Sequence, residues 1–410
     1  MKTKILLLLA TVLATGIAGA AAHRDTKLFS AVEANRGAAL ELLKSIVNID
    51  SGTGDVEGGR KVDELLSARL KAIGAEVRIA PAEANDLPDN LLATWHGTGM
   101  GRILLIAHID TVFGPGTAAN RPFSLDDKRA YGPGVGDEKA GVVNAIMAMS
   151  ILNQLHFSNF KTITLLLDDS EERGSPGSTR LIRTLSREHD VVLNMEPGDP
   201  PDDITVWRKG SAAIRIDVAG RAAHAGMAPQ NGRNAATELL HQLSALEGKF
   251  PNSGDGITVN LTVLRAGERS NIIPDKAEGV LNVRFRQQDQ FEQVLAAVEQ
   301  QSHDTQVPDT KVSVSHDPSF PPLTENPQID ALAARAKAIY AELGRTVGTS
   351  GNGGASESAL AMSEGTPALD GLGFVGGDFH TDHEWIDLAS VTPRMYLLTR
   401  LLMELGPLGH

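Results

Sequence analysis

Histidine and carboxylate side chains follow three apolar stretches of the sequence, each short enough to form a buried strand. His108 and Asp110 come directly after the first stretch, and a run of acidic residues at 168–172 follows the second. Glu196 follows the third. Ligands of open α/β sheets bind beyond the carboxyl ends of the strands, so these side chains are candidates for one common site. Because residues two apart share a face of an extended chain, Asp110 can lie beside His108 and fix its tautomer.

A further pair of carboxylates lies in a glycine-rich segment that opens a predicted helix. Residues 131–141 run Tyr-Gly-Pro-Gly-Val-Gly-Asp-Glu-Lys-Ala-Gly, which places Asp137 and Glu138 at the mouth of a tight turn. A dinucleotide-binding loop is the alternative interpretation of the glycines. Two carboxylates at that mouth would repel a pyrophosphate, whereas they would attract a cation. The segment therefore favours metal binding.

Two more imidazoles, His380 and His383, lie near the C-terminus, and the sequence contains no cysteine. Any metal must therefore be held by histidine, aspartate and glutamate. Imidazole and carboxylate ligands without sulfur suit zinc, and two imidazoles with three carboxylates are enough for a two-metal centre. A solvated acidic loop is the alternative interpretation of the run at 168–172. Its position directly after a buried strand favours a metal site instead.

The elements that must position these residues alternate between helix and strand over the first half of the chain. Apolar runs at 102–107, 162–167 and 191–193 predict strands that are buried on both faces. Apolar residues at helical spacing predict helices at 62–73 and 140–155. Continuous apolar strands separated by helices imply an α/β domain whose sheet is covered on both faces.

The pattern changes near residue 210, where residues 213–219 alternate apolar and polar side chains, as in a half-exposed strand. The predicted elements that follow are a helix at 234–246, strands at 257–264 and 277–285, a helix at 291–301 and a strand near 311–314. This βαββαβ unit should have one sheet face covered by helices and the other solvated. The sequence therefore predicts a smaller α+β domain, residues 210–318, inserted into a larger domain formed by residues 23–209 and 319–410.

Residues 1–22 have the pattern of a secretory signal peptide. Lys2 and Lys4 precede an apolar stretch that begins at Ile5, and a run of small residues ends at Ala22. A membrane anchor is the alternative, but the second half of the segment is threonine, glycine and alanine, which suits a bilayer core poorly. We expect a secreted or periplasmic protein that has no membrane contact after cleavage.

The composition narrows the function classes further. The 410 residues carry a net charge of -13, which argues against nucleic acid as a partner because phosphate binding depends on clustered lysine and arginine. The lack of cysteine excludes disulfides, thiol nucleophiles and cysteine-ligated zinc. No Walker-type Gly-Lys-Ser/Thr and no Gly-x-Ser-x-Gly occurs, which disfavours nucleotide hydrolysis and serine esterase chemistry.

Taken in order along the chain, the motifs resemble the dizinc metallopeptidase family that contains glutamate carboxypeptidase, aminoacylase and succinyl-diaminopimelate desuccinylase. The segments that carry the resemblance are His108–Asp110, Gly136–Gly141, Asp169–Glu172, Glu196–Gly198, Gly353–Glu357 and His380–Glu384. The resemblance covers essentially the whole chain after residue 22 and is nearest to the secreted glutamate carboxypeptidases. It implies a mixed-sheet zinc-peptidase catalytic domain with an inserted lid and dimerisation domain.

The resemblance also implies two Zn²⁺ per subunit, although Co²⁺ and Mn²⁺ accept the same ligands. The implied metal ligands are His108, Asp137, Glu172, Glu196 and His380. Asp137 would bridge both metals. His108 and Glu196 would complete the ligands of one metal, and Glu172 and His380 those of the other. His383 is the alternative to His380, but the family spacing of histidine and glutamate four positions apart favours His380.

Other roles carried over from the resemblance surround these ligands. Glu171 would be the general base that takes a proton from the water between the metals, and Asp110 would orient His108. A cis peptide bond is expected between Asp137 and Glu138.

The inserted domain carries its own candidates. The resemblance implies that His224 crosses to the partner subunit of a homodimer and steadies the oxyanion there. Asn271 and Arg284 match positions that hold the carboxylate of the substrate, a task that suits the guanidinium fork. From the sequence pattern alone, His224 would be interpreted as an ordinary turn residue and Arg284 as an exposed strand residue. Gly353 and Gly354 are expected to line the same pocket.

The sequence therefore predicts a zinc-dependent carboxypeptidase that hydrolyses the amide bond before a C-terminal amino acid, with glutamate as the candidate residue. Its substrate would be a small peptide or an N-acyl amino acid. An N-acyl-amino-acid deacylase with the same dimetal site is the alternative within this class. A periplasmic binding protein is the alternative from a different class, but a binding protein has no need for Glu171 beside the ligand Glu172.

Overall fold

The computed structural model of this protein describes residues 23–250, 252 and 256–409. The predicted signal peptide lies outside these described residues. Within them, no helix combines the length and the apolar character that a membrane crossing requires.

The elements of the described residues follow one another in the predicted alternation. The helices are α1 (Thr26–Val47), α2 (Val56–Ala72), α3 (Thr117–Asn120), α4 (Lys139–Gln154), α5 (Thr179–Glu188), α6 (Ala235–Leu246), α7 (Gln288–Ser302), α8 (Pro327–Glu342), α9 (Ser358–Ser363) and α10 (Val391–Leu405). The first strands are β1 (Glu76–Ala80), β2 (Asn90–His96), β3 (Arg102–His108), β4 (Ser124–Leu125), β5 (Arg129–Tyr131), β6 (Thr162–Asp168), β7 (Val191–Asn194), β8 (Asp203–Arg208) and β9 (Gly210–Ala219). The remaining strands are β10 (Ala223–His224), β11 (Thr258–Ala266), β12 (Ile272–Ile273), β13 (Lys276–Phe285), β14 (Lys311–Phe320), β15 (Gly348–Asn352), β16 (Ala368–Leu369), β17 (Gly376–Gly377) and β18 (Trp385–Asp387). Glu171–Arg173 and Pro229–Asn231 form short 3₁₀ helices.

The larger sheet is mixed, with strand order β1-β2-β6-β3-β7-β16. Its centre is parallel, because β3 pairs in parallel with both β6 and β7. Both of its faces are covered. Ile103 and Leu105 of β3 join the core formed with α1, α4 and α10, whereas Leu104 and Ile106 join a second core with α5 and α9. The continuous apolar runs in the sequence reflect this burial on both faces, and the predicted mixed α/β fold is confirmed.

The smaller sheet is antiparallel, with strand order β11-β13-β9-β14. Helices α6 and α7 pack on one face and enclose a separate apolar core. The order β9, α6, β11, β13, α7, β14 contains the predicted βαββαβ unit. The last strand is longer than predicted, because β14 pairs with β9 over almost the whole length of β9 even where its own alternation of apolar residues ends.

The chain enters and leaves the smaller sheet at adjacent points. Strand β8 ends at Arg208 and β9 begins at Gly210, while β14 ends at Phe320. The backbone amides of Arg208 and Leu323 each donate to the carbonyl oxygen of the other, at 3.0 and 3.1 Å. The two connecting segments therefore lie side by side.

Candidate metal centre

Parallel strands bring the first candidate residues to one edge of the larger sheet. His108 is the last residue of β3 and lies opposite Asp168, the last residue of β6. The turn that follows β6 carries Glu171 and Glu172, and the segment after β7 carries Glu196. The strand ends thus gather an imidazole and four carboxylates that are up to 88 residues apart in the sequence.

A buried carboxylate shapes the glycine-rich loop before α4. The carboxylate of Glu384 accepts hydrogen bonds from the backbone amides of Gly134, Gly136 and Asp137, at 3.1, 2.8 and 3.0 Å. Glu384 immediately precedes β18, which pairs with β5 at the start of the loop. The peptide bond between Asp137 and Glu138 is cis, as expected. Glu384 therefore fixes the backbone that presents the Asp137 carboxylate.

The two oxygens of Asp137 face two different imidazoles. Asp137 Oδ1 lies 3.1 Å from His108 Nε2, and Asp137 Oδ2 lies 3.2 Å from His380 Nε2. Within the described residues, two groups have potential metal-ligand atoms within 4.8 Å of one another: His108 with Asp137 and Glu196, and Asp137 with Glu172 and His380. Asp137 is common to both groups.

The remaining donors fit a pair of divalent ions. Glu172 Oε2 lies 3.2 Å from His380 Nε2, and Glu196 Oε1 lies 3.9 Å from His108 Nε2. The other oxygen of Glu172, Oε1, is buried and has no hydrogen-bond partner among the described residues. A buried, unpartnered carboxylate oxygen is costly, so a cation at this position would satisfy it.

The structure separates the two C-terminal histidines. His380 lies in an exposed loop with a left-handed backbone (φ 63°), and its ring points to Asp137 and Glu172. His383 belongs to neither group of potential ligands, and its backbone amide bonds to Thr381 Oγ1. The geometry therefore agrees with the family spacing in favouring His380.

Asp110 organises more of the site than the sequence suggested. His108 Nδ1 lies 3.0 Å from the Asp110 carbonyl oxygen and 3.3 Å from its carboxylate Oδ1. The same carboxylate accepts hydrogen bonds from the backbone amides of Glu171 and Glu172, at 3.1 and 3.3 Å. Asp110 thus links the orientation of His108 to the turn that carries both glutamates.

Crowded charges perturb the pKa values of these groups. Burial, together with the nearby carboxylate of Glu196, raises the pKa of Glu171 well above its ordinary value. Burial likewise raises the pKa of Glu196, to about 8. Hydrogen bonds to Asp137 and Glu172 raise the pKa of His380 to about 11. The carboxylates therefore need positive charge near them, which either protons or metal ions would supply.

A cleft of about 490 Å³ opens beside these residues and is lined by both domains. Glu171, Asp137 and Gly354 contribute from the larger domain, and Arg284 contributes from β13. Arg284 is half-buried, and burial lowers its pKa although the charge on Glu171 opposes this. Its Nε donates to Asn282 Oδ1 at 3.2 Å.

The structure does not bring every predicted residue to this cleft. His224 on β10 and Asn271 before β12 are exposed, and neither lines the cleft of its own chain. The His224 ring accepts hydrogen bonds through Nδ1 from the backbone amides of Gly226 and Met227. Gly353 lies beside Lys209.

Sequence reasoning missed several residues that the structure places at the cleft, Arg208, Ser211 and Asn282 among them. Arg208 is almost fully buried between Glu196 and Asp370, and Ser211 and Asn282 line the cleft from the smaller sheet. The alternation along β9 and β13 could have placed Ser211 and Asn282 on one face. By contrast, the bond between Arg208 and Asp370 joins residues 162 positions apart, and no local pattern indicates it.

Comparisons with known proteins find relatives that match almost the whole chain. Residues 104–404 match the sequence pattern of Peptidase family M20/M25/M40. Carboxypeptidase G2 of Pseudomonas sp. (strain RS-16) is 32% identical over 411 residues, which cover 99% of this chain and 98% of that protein. Succinyl-diaminopimelate desuccinylase of Methylorubrum populi is 28% identical, with 88% and 97% covered. A tripeptidase from Staphylococcus aureus has a similar structure, with a TM-score of 0.75 at 20% identity, over 91% of this chain and 99% of that one.

Proposed function

This chain belongs to peptidase family M20/M25/M40 and is a metallopeptidase, and on that premise we propose that it is a zinc-dependent carboxypeptidase. It would hydrolyse the amide bond before a C-terminal amino acid, with glutamate as the candidate. The observation that carries this proposal is the position of Asp137, whose two oxygens face two imidazoles. The shared carboxylate supports a centre of two Zn²⁺ bound by His108 and Glu196 on one side and by Glu172 and His380 on the other.

When bound, two zinc ions would lower the pKa of water toward about 7 and polarise the scissile carbonyl group. Glu171 lies in the cleft but belongs to neither ligand group. Its raised pKa suits a carboxylate oxygen that takes a proton from the attacking water and passes it to the departing amine. Asp110 would hold both Glu171 and His108 in place during these steps.

Arg284 would bind the free carboxylate of the substrate. It is a half-buried guanidinium at the cleft, and its Nε donates to the amide oxygen of Asn282, which carries no charge. An arginine fork can donate two parallel hydrogen bonds to a carboxylate. Gly354, which has no side chain to obstruct the cleft, would form part of the opposite wall.

His224 and Asn271 would act in the cleft of a second copy of the chain, which makes the active unit a homodimer. Both residues are exposed on the inserted domain and lie outside the cleft of their own chain. Strand β11 is an edge strand whose Leu261 and Leu264 are 45% and 52% exposed. An unpaired edge with exposed leucines is a surface on which another copy can pair.

The N-terminal pattern supports a secreted or periplasmic location. A charged start, a short apolar stretch and a run of small residues make up residues 1–22. An exported enzyme of this kind would act on small peptides or N-acyl amino acids outside the cytoplasm.

An N-acyl-amino-acid deacylase remains the second candidate. It would use the same ligand set, the same base and the same arginine, and a desuccinylase is among the relatives. The two candidates differ only in which side of the amide bond the cleft selects. The binding-protein alternative is set aside, because the family match identifies the chain as an enzyme.

The test is release of free amino acid by the purified protein from a panel of dipeptides and N-acyl amino acids. Each substrate is assayed after chelation and again after addition of Zn²⁺, Co²⁺ or Mn²⁺. Zinc-restored cleavage that is strongest for a C-terminal glutamate is the expected result. Zinc-restored cleavage confined to acylated residues would support the deacylase, and cleavage that persists after complete metal removal would contradict both.

A further inference from the structure

The two oxygens of the Glu196 carboxylate have different surroundings. Oε1 faces the metal centre and lies 3.9 Å from His108 Nε2. Oε2 points away from it and accepts a hydrogen bond from Arg208 Nη2 at 3.2 Å. Both residues are buried, with Arg208 5% and Glu196 6% exposed. Glu196 therefore has one oxygen committed to an arginine and one directed at the centre.

Arg208 is itself held rigidly. Its Nε and Nη2 donate to the two carboxylate oxygens of Asp370, at 2.9 and 3.0 Å. Asp370 is fully buried and also accepts hydrogen bonds from the hydroxyl groups of Ser356 and Ser358. The guanidinium is thus fixed by a bidentate pair and has little freedom to turn away from Glu196.

The corresponding glutamate of the other ligand group has no such partner. Glu172 Oε2 faces His380, while Oε1 is buried and has no hydrogen-bond partner among the described residues. Both oxygens of Glu172 are therefore available to a metal ion, whereas only Oε1 of Glu196 is.

We propose that Arg208 is a positioning residue that holds Glu196 as a one-oxygen metal ligand, so that the two metal sites differ in coordination. The inference rests on the proposed two-zinc centre. Hydrogen bonds from surrounding groups orient metal ligands, and removing them typically weakens metal binding by roughly 10–100-fold. Among the described residues, Arg208 hydrogen-bonds to Glu196 and to none of the other four candidate ligands. Its loss should therefore affect the His108–Glu196 site and leave the Glu172–His380 site unchanged.

The test is a zinc titration of the full-length mature protein against a chromophoric chelator, which reports the number of sites and their affinities. The wild-type protein should bind two Zn²⁺ per subunit. Arg208→Met should bind one Zn²⁺ as before and the other roughly 10–100-fold more weakly. Arg208→Lys keeps a cationic donor and should recover part of the lost affinity.

Arg286→Met is the matched control, because Arg286 lies in the same region but stacks on Trp207 and pairs with Glu325. It should bind both zinc ions as the wild type does. If Arg208→Met does not fold, Asp370→Asn provides the test. It removes the charged partner that fixes the Arg208 guanidinium, while it keeps the side-chain shape at position 370. It should weaken the same single site.

The outcomes separate the two proposals. A wild-type protein that binds fewer than two zinc ions would contradict the two-zinc centre itself. Two sites in the wild type with unchanged affinities in the folded variants would overturn only the role of Arg208. An equal weakening of both sites would also overturn it, because that result indicates a general structural effect.

Discussion

The two domains present their candidate residues in opposite ways. On the larger domain His108 is fully buried, and Asp110 and Glu384 are already engaged with the backbone and side chains that they orient. On the inserted domain, His224 and Asn271 are exposed and do not line the cleft of their own chain. All five candidate metal ligands therefore lie on the larger domain, whereas His224 and Asn271 of the inserted domain could act only in the cleft of a second copy.

The difference follows from how each sheet is covered. The larger sheet is buried on both faces, so groups at its strand ends lie in a low-dielectric environment and interact strongly. The smaller sheet has helices on one face only, and residues on its loops and edge are solvated. Substitutions in the two domains should therefore affect chemistry and metal binding in different ways.

The largest expected loss of activity comes from a substitution in the larger domain. Glu171→Gln removes the proton acceptor but keeps the shape of the side chain, so kcat should fall by roughly 10²–10⁴-fold. Because Glu171 belongs to neither ligand group, two zinc ions should still bind. Steady-state kinetics and metal analysis check both statements, with the exposed Glu188→Gln as control. Retained turnover in Glu171→Gln would mean that another residue is the base.

On the inserted domain, His224→Asn should lower kcat by roughly 10²–10³-fold through loss of an oxyanion donor, with zinc content unchanged. If His224 acts across a dimer interface, mixing this variant with Glu171→Gln should recover activity. A random mixture would contain about a quarter of its sites intact. Recovery is measured after subunit exchange, and Leu261→Lys on β11 should prevent it. No recovery from an exchanging dimer would place His224 in its own subunit's site.

Arg284 is the candidate substrate-binding residue of the inserted domain that lines the cleft of its own chain, unlike His224 and Asn271. Arg284→Met should raise KM and lower kcat/KM by roughly 10–100-fold, because a charged hydrogen bond is worth about 1.5–3 kcal/mol. The loss should be absent for substrates with an amidated C-terminus, which lack the carboxylate. Arg286→Met is the control, and equal losses on both kinds of substrate would contradict the assignment.

The smallest effect on catalysis is expected at Asp63, a buried carboxylate of the larger domain outside the cleft. Burial and the nearby Asp89 raise its pKa to about 7 from 3.8. The folded state therefore binds this proton more tightly than the unfolded state, and stability falls as the pH rises from about 4 to above 7. Asp63→Asn should remove this fall and be more stable at pH 8, by at most about 4 kcal/mol.

Urea unfolding of the metal-free protein at pH 5 and pH 8 measures this effect, with the exposed Asp127→Asn as control. The gain at pH 8 should exceed that at pH 5, and turnover should be unchanged. A difference that does not vary with pH would show that Asp63 does not titrate in this range.

Much of this structure could be predicted from local patterns. The apolar runs that became β3, β6 and β7 are buried on both faces, and His108 and Glu196 could be found because each lies at or just after the end of such a run. Arg208 and Glu384 could not be assigned in this way, because their partners are distant in sequence: Arg208 bonds to Asp370, and Glu384 bonds to amides about 250 residues earlier. The sequence identifies His224 as a candidate residue but does not show in which cleft it would act. That depends on contacts with a second copy of the chain.

The pairing of Arg208 with Leu323 makes the inserted sheet separable from the rest of the chain. The two backbone hydrogen bonds hold the segments before β9 and after β14 together, so the path into and out of the smaller sheet closes on itself. A chain in which residues 211–319 are replaced by a tight turn would keep this closure, both ligand groups and the entire core of the larger sheet. The inserted sheet is thus a separable module, and a shortened chain without it should still fold around the larger sheet.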